Sequence, residues 1–112
     1  MIDSYRFGEI VIDGERYTSD VIIYPDRVDA NWWRKEGHRL SVGDLKGIVE
    51  TRPEVLVVGT GDAGVMEVPV ETKEYLEAGG IKLITERTGQ ACQTFNRLVG
   101  SGNVIAALHL TC

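Results

Sequence analysis

The chain is 112 residues long with a formal net charge of -5 at pH 7, and 43% of its residues are hydrophobic against 26% charged. That size and balance describe one globular α/β domain, residues 1–112, with an apolar core that needs no disulfide or structural metal. The 12 Lys and Arg residues are scattered among 17 Asp and Glu, which excludes the clustered basic surface that nonspecific binding to nucleic acid or anionic membrane requires.

Residues 7–12, Asp13-Gly14 and residues 15–17 spell a β-hairpin, because Asp-Gly takes the positive φ angles of a two-residue type I′ turn. Residues 21–24 predict another strand, Pro25-Asp26 a turn, and residues 27–31 a short returning strand. The adjacent Trp32 and Trp33, if on a strand, face opposite ways, one into the core and one outward as a candidate protein contact. His38, in the charged turn that follows, reads as a solvated surface residue. Ser41 to Asp44 resembles a capping box ahead of Leu45, Ile48 and Val49 at helical spacing, and Arg52-Pro53 closes that short helix.

Residues 55–58 are four consecutive apolar residues, three of them β-branched, which suits a central strand covered on both faces. A glycine loop follows at Gly59-Thr60-Gly61-Asp62-Ala63-Gly64, and Pro69 delays the next helix to residues 71–78, ended by Gly79-Gly80. Residues 81–85 predict a strand. Thr88 then caps a helix whose Ala91, Phe95, Leu98 and Val99 form an apolar stripe, and residues 104–110 supply the last strand. From Glu54 onward the order is β-α-β-α-β, and right-handed crossovers make those strands parallel with their carboxyl ends on one edge.

Ligands of open α/β sheets favour the crevice beyond those carboxyl ends. Here they carry Gly59, Thr60, Gly61 and Asp62, then Glu86, Arg87 and Thr88, then His109, while Cys92 and Asn96 share a helical stripe with Thr88. These residues form a candidate ligand cleft. The competing reading makes Thr88 a cap, Glu86 and Arg87 solvated, Asn96 a tie for a loop and His109 a packing residue. Gly59, Gly61 and Gly64 also satisfy G-x-G-x-x-G with Glu86 downstream, but Val65 to Pro69 intervene where a phosphate-binding helix should begin. Cys92 near a helix start with His109 as base would make a nucleophile, yet no hydrolase motif surrounds it. Cys92 and Cys112 lack CxxC pairing and a nearby His cluster, so both read as reduced thiols, with no metal and no cofactor expected. The polar start resembles neither a signal nor a transit peptide, and no apolar run reaches the roughly 20 residues of a transmembrane helix. The expected location is the cytoplasm.

Ile23-Tyr24-Pro25 with Trp32-Trp33, the run from Pro53 to Gly61, and Glu77-Ala78-Gly79-Gly80-Ile81 form one set of signals. Thr88, Ala91, Cys92, Thr94, Phe95, Asn96 and Leu98 continue it, and Val104-Ile105-Ala106-Ala107-Leu108 ends it. Together they resemble the small Mth-type domain, a family of unknown function that includes a mitochondrial complex I assembly factor and an adipogenesis-associated Mth domain protein. The resemblance spans nearly the whole chain. It implies a three-layer α/β domain with a central mixed sheet and an N-terminal β-rich portion, and it supplies no catalytic residues. The role it implies is a noncatalytic, protein-binding assembly or maturation factor, and the lack of a mitochondrial presequence predicts a free-standing prokaryotic member. The alternative is a small-ligand-binding protein or enzyme that uses the strand-end cleft.

Overall fold

The computed structural model describes residues 1–112. Eight strands and three α-helices form two sheets, in chain order β1 (Ile2–Arg6), β2 (Glu9–Ile12), β3 (Glu15–Tyr17), β4 (Val21–Ile23), β5 (Val28–Asp29), α1 (Lys46–Glu50), β6 (Val55–Gly59), α2 (Val70–Ala78), β7 (Lys82–Glu86), α3 (Thr88–Leu98) and β8 (Val104–Leu108). The smaller sheet has the antiparallel order β1-β2-β3, and the larger one is mixed with the order β5-β4-β8-β6-β7.

The β-α-β-α-β half folds as its crossovers dictate: β6 runs parallel to both β7 and β8. β6 is interior as expected, although β8 is the middle strand of the five. Period-two alternation sends Val57 to one face and Leu56 and Val58 to the other, all fully buried. On the first face α3 and the small sheet pack Phe95, Ala91, Ile10 and Ile12 onto Val57, Ala106 and Leu108. On the second, Trp32, Leu40, Leu45, Ile48 and Leu76 cover Leu56, Val58, Ile105 and Ala107. The result is three layers with apolar contact on both sides of the sheet, and each large aliphatic side chain so buried contributes about 1.5–3 kcal/mol.

The Asp13-Gly14 turn has φ of 48° and 83°, the two positive values that a type I′ hairpin requires. Four expectations need correction. β1 lies in what reads as a polar start, because only Ile2 is buried and Tyr5 half-buried against the core, while Asp3, Ser4 and Arg6 are exposed, with an irregularity between Ile2 and Ser4. Trp32 and Trp33 lie on no strand; the chain there is irregular, held by the Trp32 N–H donating to the Asp20 carbonyl at 3.1 Å. The turn after Ser41 begins as a 3-10 segment, Val42–Leu45, before α1 continues it. Thr88 is not the cap of α3, since Arg87 holds the extended N-cap conformation and Thr88 is the first helical residue.

Candidate functional site

The carboxyl ends of β6, β7 and β8 meet at one edge, where the chain's last residues pack over the glycine loop and a groove of about 260 Å³ stays open between Asp62, Arg87, Gly89 and Gln90. The buried Thr88 hydroxyl accepts from the Gly61 N–H at 2.9 Å and donates to the His109 carbonyl at 2.6 Å. The His109 N–H donates to Gly59 O at 3.0 Å, so Gly59, Gly61, Thr88 and His109 are one hydrogen-bonded unit. Residues 109–112 lie over the glycine loop, with the Asp62 N–H donating to Thr111 O at 2.6 Å and the Val65 N–H to Cys112 O at 3.0 Å. A Cβ on Gly61 would stand 2.4 Å from the Cys112 carbonyl group. These glycines serve close approach of backbone to backbone.

The remaining predicted residues divide into separate places. Thr60 caps the β6–β7 edge by donating from its hydroxyl to Glu86 O at 3.1 Å, and the Glu86 carboxylate accepts from the Thr94 hydroxyl at 2.6 Å. The Arg87 Nε–H donates to the Asp62 carbonyl at 2.8 Å. Asn96 faces β1, where its amide accepts from the Ile2 N–H and donates to Ile2 O, each at 2.8 Å, and so stands in for a paired strand. Cys92 shares a groove of about 340 Å³ with Asn96, Tyr5 and Ser4 between α3 and β1, and burial pushes its thiol pKa up to about 12. A thiol so disfavoured as thiolate is a packing group at neutral pH. Tyr5 donates to Leu110 O at 3.1 Å, and burial, then the nearby Asp62 charge, raises its pKa to about 12.

Residue spacing gives no warning of the charged cluster beneath this edge. Asp20, just before β4, receives the Leu110 N–H at 2.8 Å and lies 2.8 Å from both His109 Nδ1 and Arg34 Nη1. Burial alone would raise the Asp20 pKa; the hydrogen bonds from His109 and Leu110 and the Arg34 charge beside it outweigh burial and hold the carboxyl below its usual range. An ionised Asp20 can only accept, so Nδ1 of His109 carries the proton that faces it. Arg34 Nη2, at 3.1 Å from the same nitrogen, is then a donor beside a donor, and its bond goes to Gly37 O at 2.9 Å. Arg34 Nη1 touches Asp20 as an ion pair without hydrogen-bond alignment, and His109 Nε2 and Arg34 Nε are buried with no protein partner.

The cluster ties the segment after β8 to the Trp32–Arg34 stretch. The Arg34 guanidinium lies 4.6 Å from the Trp32 ring centroid, and exposed His38 meets the His109 ring edge-on at 5.9 Å between centroids. Trp32 is in the core and the Arg34 side chain is only 5% exposed, whereas Trp33 between them is 76% exposed. Local sequence does not single out Asp20, a lone charge beside an apolar run, or Arg34, one of several charges in a turn, because their contacts with His109 span 89 and 75 residues. No three His, Cys, Asp or Glu side chains converge as a metal site would need.

The fold and this edge define a small mixed α/β domain whose last residues pack over the glycine loop at the parallel strand ends and whose exposed Trp33 lies in sequence between the buried Trp32 and Arg34. The chain belongs to the family described as Protein of unknown function (DUF498/DUF598), whose model matches residues 2–109. It is 31% identical over 109 residues to human NADH dehydrogenase [ubiquinone] 1 alpha subcomplex assembly factor 3, a match covering 95% of this chain and 58% of that protein. The chain thus spans less than two thirds of that relative. The conserved hypothetical protein PH1505 of Pyrococcus horikoshii OT3 is similar throughout, with a TM-score of 0.86, 28% identity, and coverage of 100% of this chain and 99% of that one. A Bordetella pertussis protein described as a Mth938-like domain shares the fold at a TM-score of 0.78 and 21% identity over 98% of this chain and 85% of its own.

Proposed function

We propose that this protein is a noncatalytic assembly or maturation factor that acts by binding another protein, with Trp33 as the contact anchor. The observation that carries the reading is the bracing of Trp33: Trp32 on one side is core and Arg34 on the other is held in the buried cluster. An exposed indole on a fixed backbone loses little freedom on binding, and such preorganised aromatics dominate interface energetics. The name of the human relative, an assembly factor, supports the same class of role. Of the Trp pair, Trp33 is the residue a partner can reach. No helix of the structure is long and apolar enough to cross a membrane, and the reading places the protein in the cytoplasm, where Cys92 and Cys112 stay unpaired.

The test is affinity capture with Trp33→Ala beside the unchanged chain. Loss of an anchor worth about 2 kcal/mol lowers retention of a specific partner roughly thirtyfold at unchanged folding stability. An identical captured set from a folded Trp33→Ala protein removes the anchor from the proposal. Fractionation of cells carrying the tagged chain tests its location, and recovery in a membrane or organelle pellet contradicts the cytoplasmic reading.

A further inference from the structure

β7 is an edge strand of the five-stranded sheet and pairs only with β6. The Lys82 N–H donates to Glu54 O at 3.0 Å, and Glu86 O accepts from the Thr60 N–H at 2.9 Å. In a parallel ladder these bonds aim the peptide groups of Lys82, Ile84 and Glu86 at β6 and turn those of Leu83 and Thr85 to the open side. No turn, loop or side-chain group bonds to Leu83 or Thr85 there. The strand carries no proline and pairs with β6 without irregularity, and a groove of about 430 Å³ runs beside it along α2. Such an edge is a template for another strand.

We propose that a second copy of this chain docks on β7, the two strands pairing antiparallel about a two-fold axis at Ile84 so that the two five-stranded sheets become one. The sequence Lys82-Leu83-Ile84-Thr85-Glu86 is self-complementary about its centre, which is what an isologous contact requires. In this register Leu83 faces Thr85 of the second copy, and these residues have outward peptide groups, so they exchange backbone hydrogen bonds. Lys82 then faces Glu86 of the second copy, twice across the axis, and Ile84 meets its own equivalent. A shift of two residues either way sets a charged residue against Ile84 and loses both ion pairs. Parallel pairing in register sets like charges together. Charge therefore selects both the occupant and the register.

Sedimentation across a concentration series up to the millimolar range should show a monomer–dimer equilibrium. Lys82→Glu sets like charges against each other and should weaken the dimer about tenfold, and the double exchange Lys82→Glu with Glu86→Lys should restore it. Thr85→Pro removes an outward N–H and spares the β6 ladder, so it should give a folded monomer by circular dichroism. Should that variant unfold, hydrogen exchange of the unchanged protein decides: the Leu83 and Thr85 amides become protected as concentration rises. A chain that is monomeric throughout, a dimer indifferent to Thr85→Pro, or a double exchange that fails to restore pairing overturns the proposal. Protection of those amides only on adding a foreign protein also overturns it, and assigns the edge to a heterologous strand.

Discussion

Asp20 and His109, 89 residues apart in the chain, face each other at 2.8 Å beside the carboxyl ends of the parallel strands. Asp20 has its carboxyl held below the usual range, so its folded pKa is depressed relative to the unfolded chain. Its contribution to stability is therefore complete above the unfolded value near 3.8 and is lost as pH falls through the folded value. Urea unfolding between pH 7 and pH 2 should show that acid loss in the unchanged protein. Asp20→Asn should cost about 2–4 kcal/mol at pH 7, because it leaves Arg34 buried without its counter-charge, and should flatten the acid limb. An unaltered acid limb in Asp20→Asn would mean that other carboxylates govern it.

The same cluster explains what was legible in the sequence and what was not. Strand β6, the parallel half and the hairpin at Asp13-Gly14 follow from local signals: a β-branched run, glycine breaks and a turn dipeptide. Each needs only a window of a few residues. How the candidate cleft residues are arranged depends on what lies beyond the strand ends, where residues 109–112 fold back over Gly61 and a groove stays open beside Asp62 and Arg87. Asp20 and Arg34 have no periodicity or spacing to betray them, since a charge beside an apolar run is normally solvated. β1 leaves no strand pattern in the sequence because its core contacts, Ile2 and the half-buried Tyr5, stand three residues apart across an irregularity rather than alternating.

The two thiols should differ sharply in reactivity. Cys92 is buried, with its pKa pushed up to about 12, and Cys112 is exposed. Alkylation of the native protein at neutral pH should label Cys112 alone, with Cys92 reacting only after denaturation. The unfolding midpoint should not change with reductant, since neither thiol is bridged. Labelling of native Cys92 at the rate of Cys112 would show that α3 separates from β1 far more readily than its packing indicates.

The loop glycines should rank by what a methyl group meets. Gly61 has φ of 107° and no room beside the Cys112 carbonyl group, so Gly61→Ala combines backbone strain with displacement of the covering segment. Gly64 has φ of 74° but faces the flexible stem of Arg87 at 3.1 Å. Gly64→Ala should therefore cost about 1 kcal/mol, near the left-handed penalty alone, and Gly61→Ala about 2–4 kcal/mol. Equal unfolding midpoints for the two variants would show that residues 111–112 move aside freely.

The G-x-G-x-x-G spacing at Gly59, Gly61 and Gly64 should confer no dinucleotide binding. A pyrophosphate site needs free backbone N–H groups and a helix that begins at the loop. Here the N–H of Thr60 goes to Glu86 O, that of Gly61 to the Thr88 hydroxyl, that of Asp62 to Thr111 O, that of Gly64 to Gly61 O and that of Val65 to Cys112 O. The next helix begins only at Val70, after Pro69 in its extended N-cap conformation. Calorimetric titration with NAD, NADP and their reduced forms should show no saturable heat at sub-millimolar ligand. Saturable binding that Glu86→Ala weakens would require residues 109–112 to lift off the loop, and would move this protein into the class of dinucleotide-binding domains.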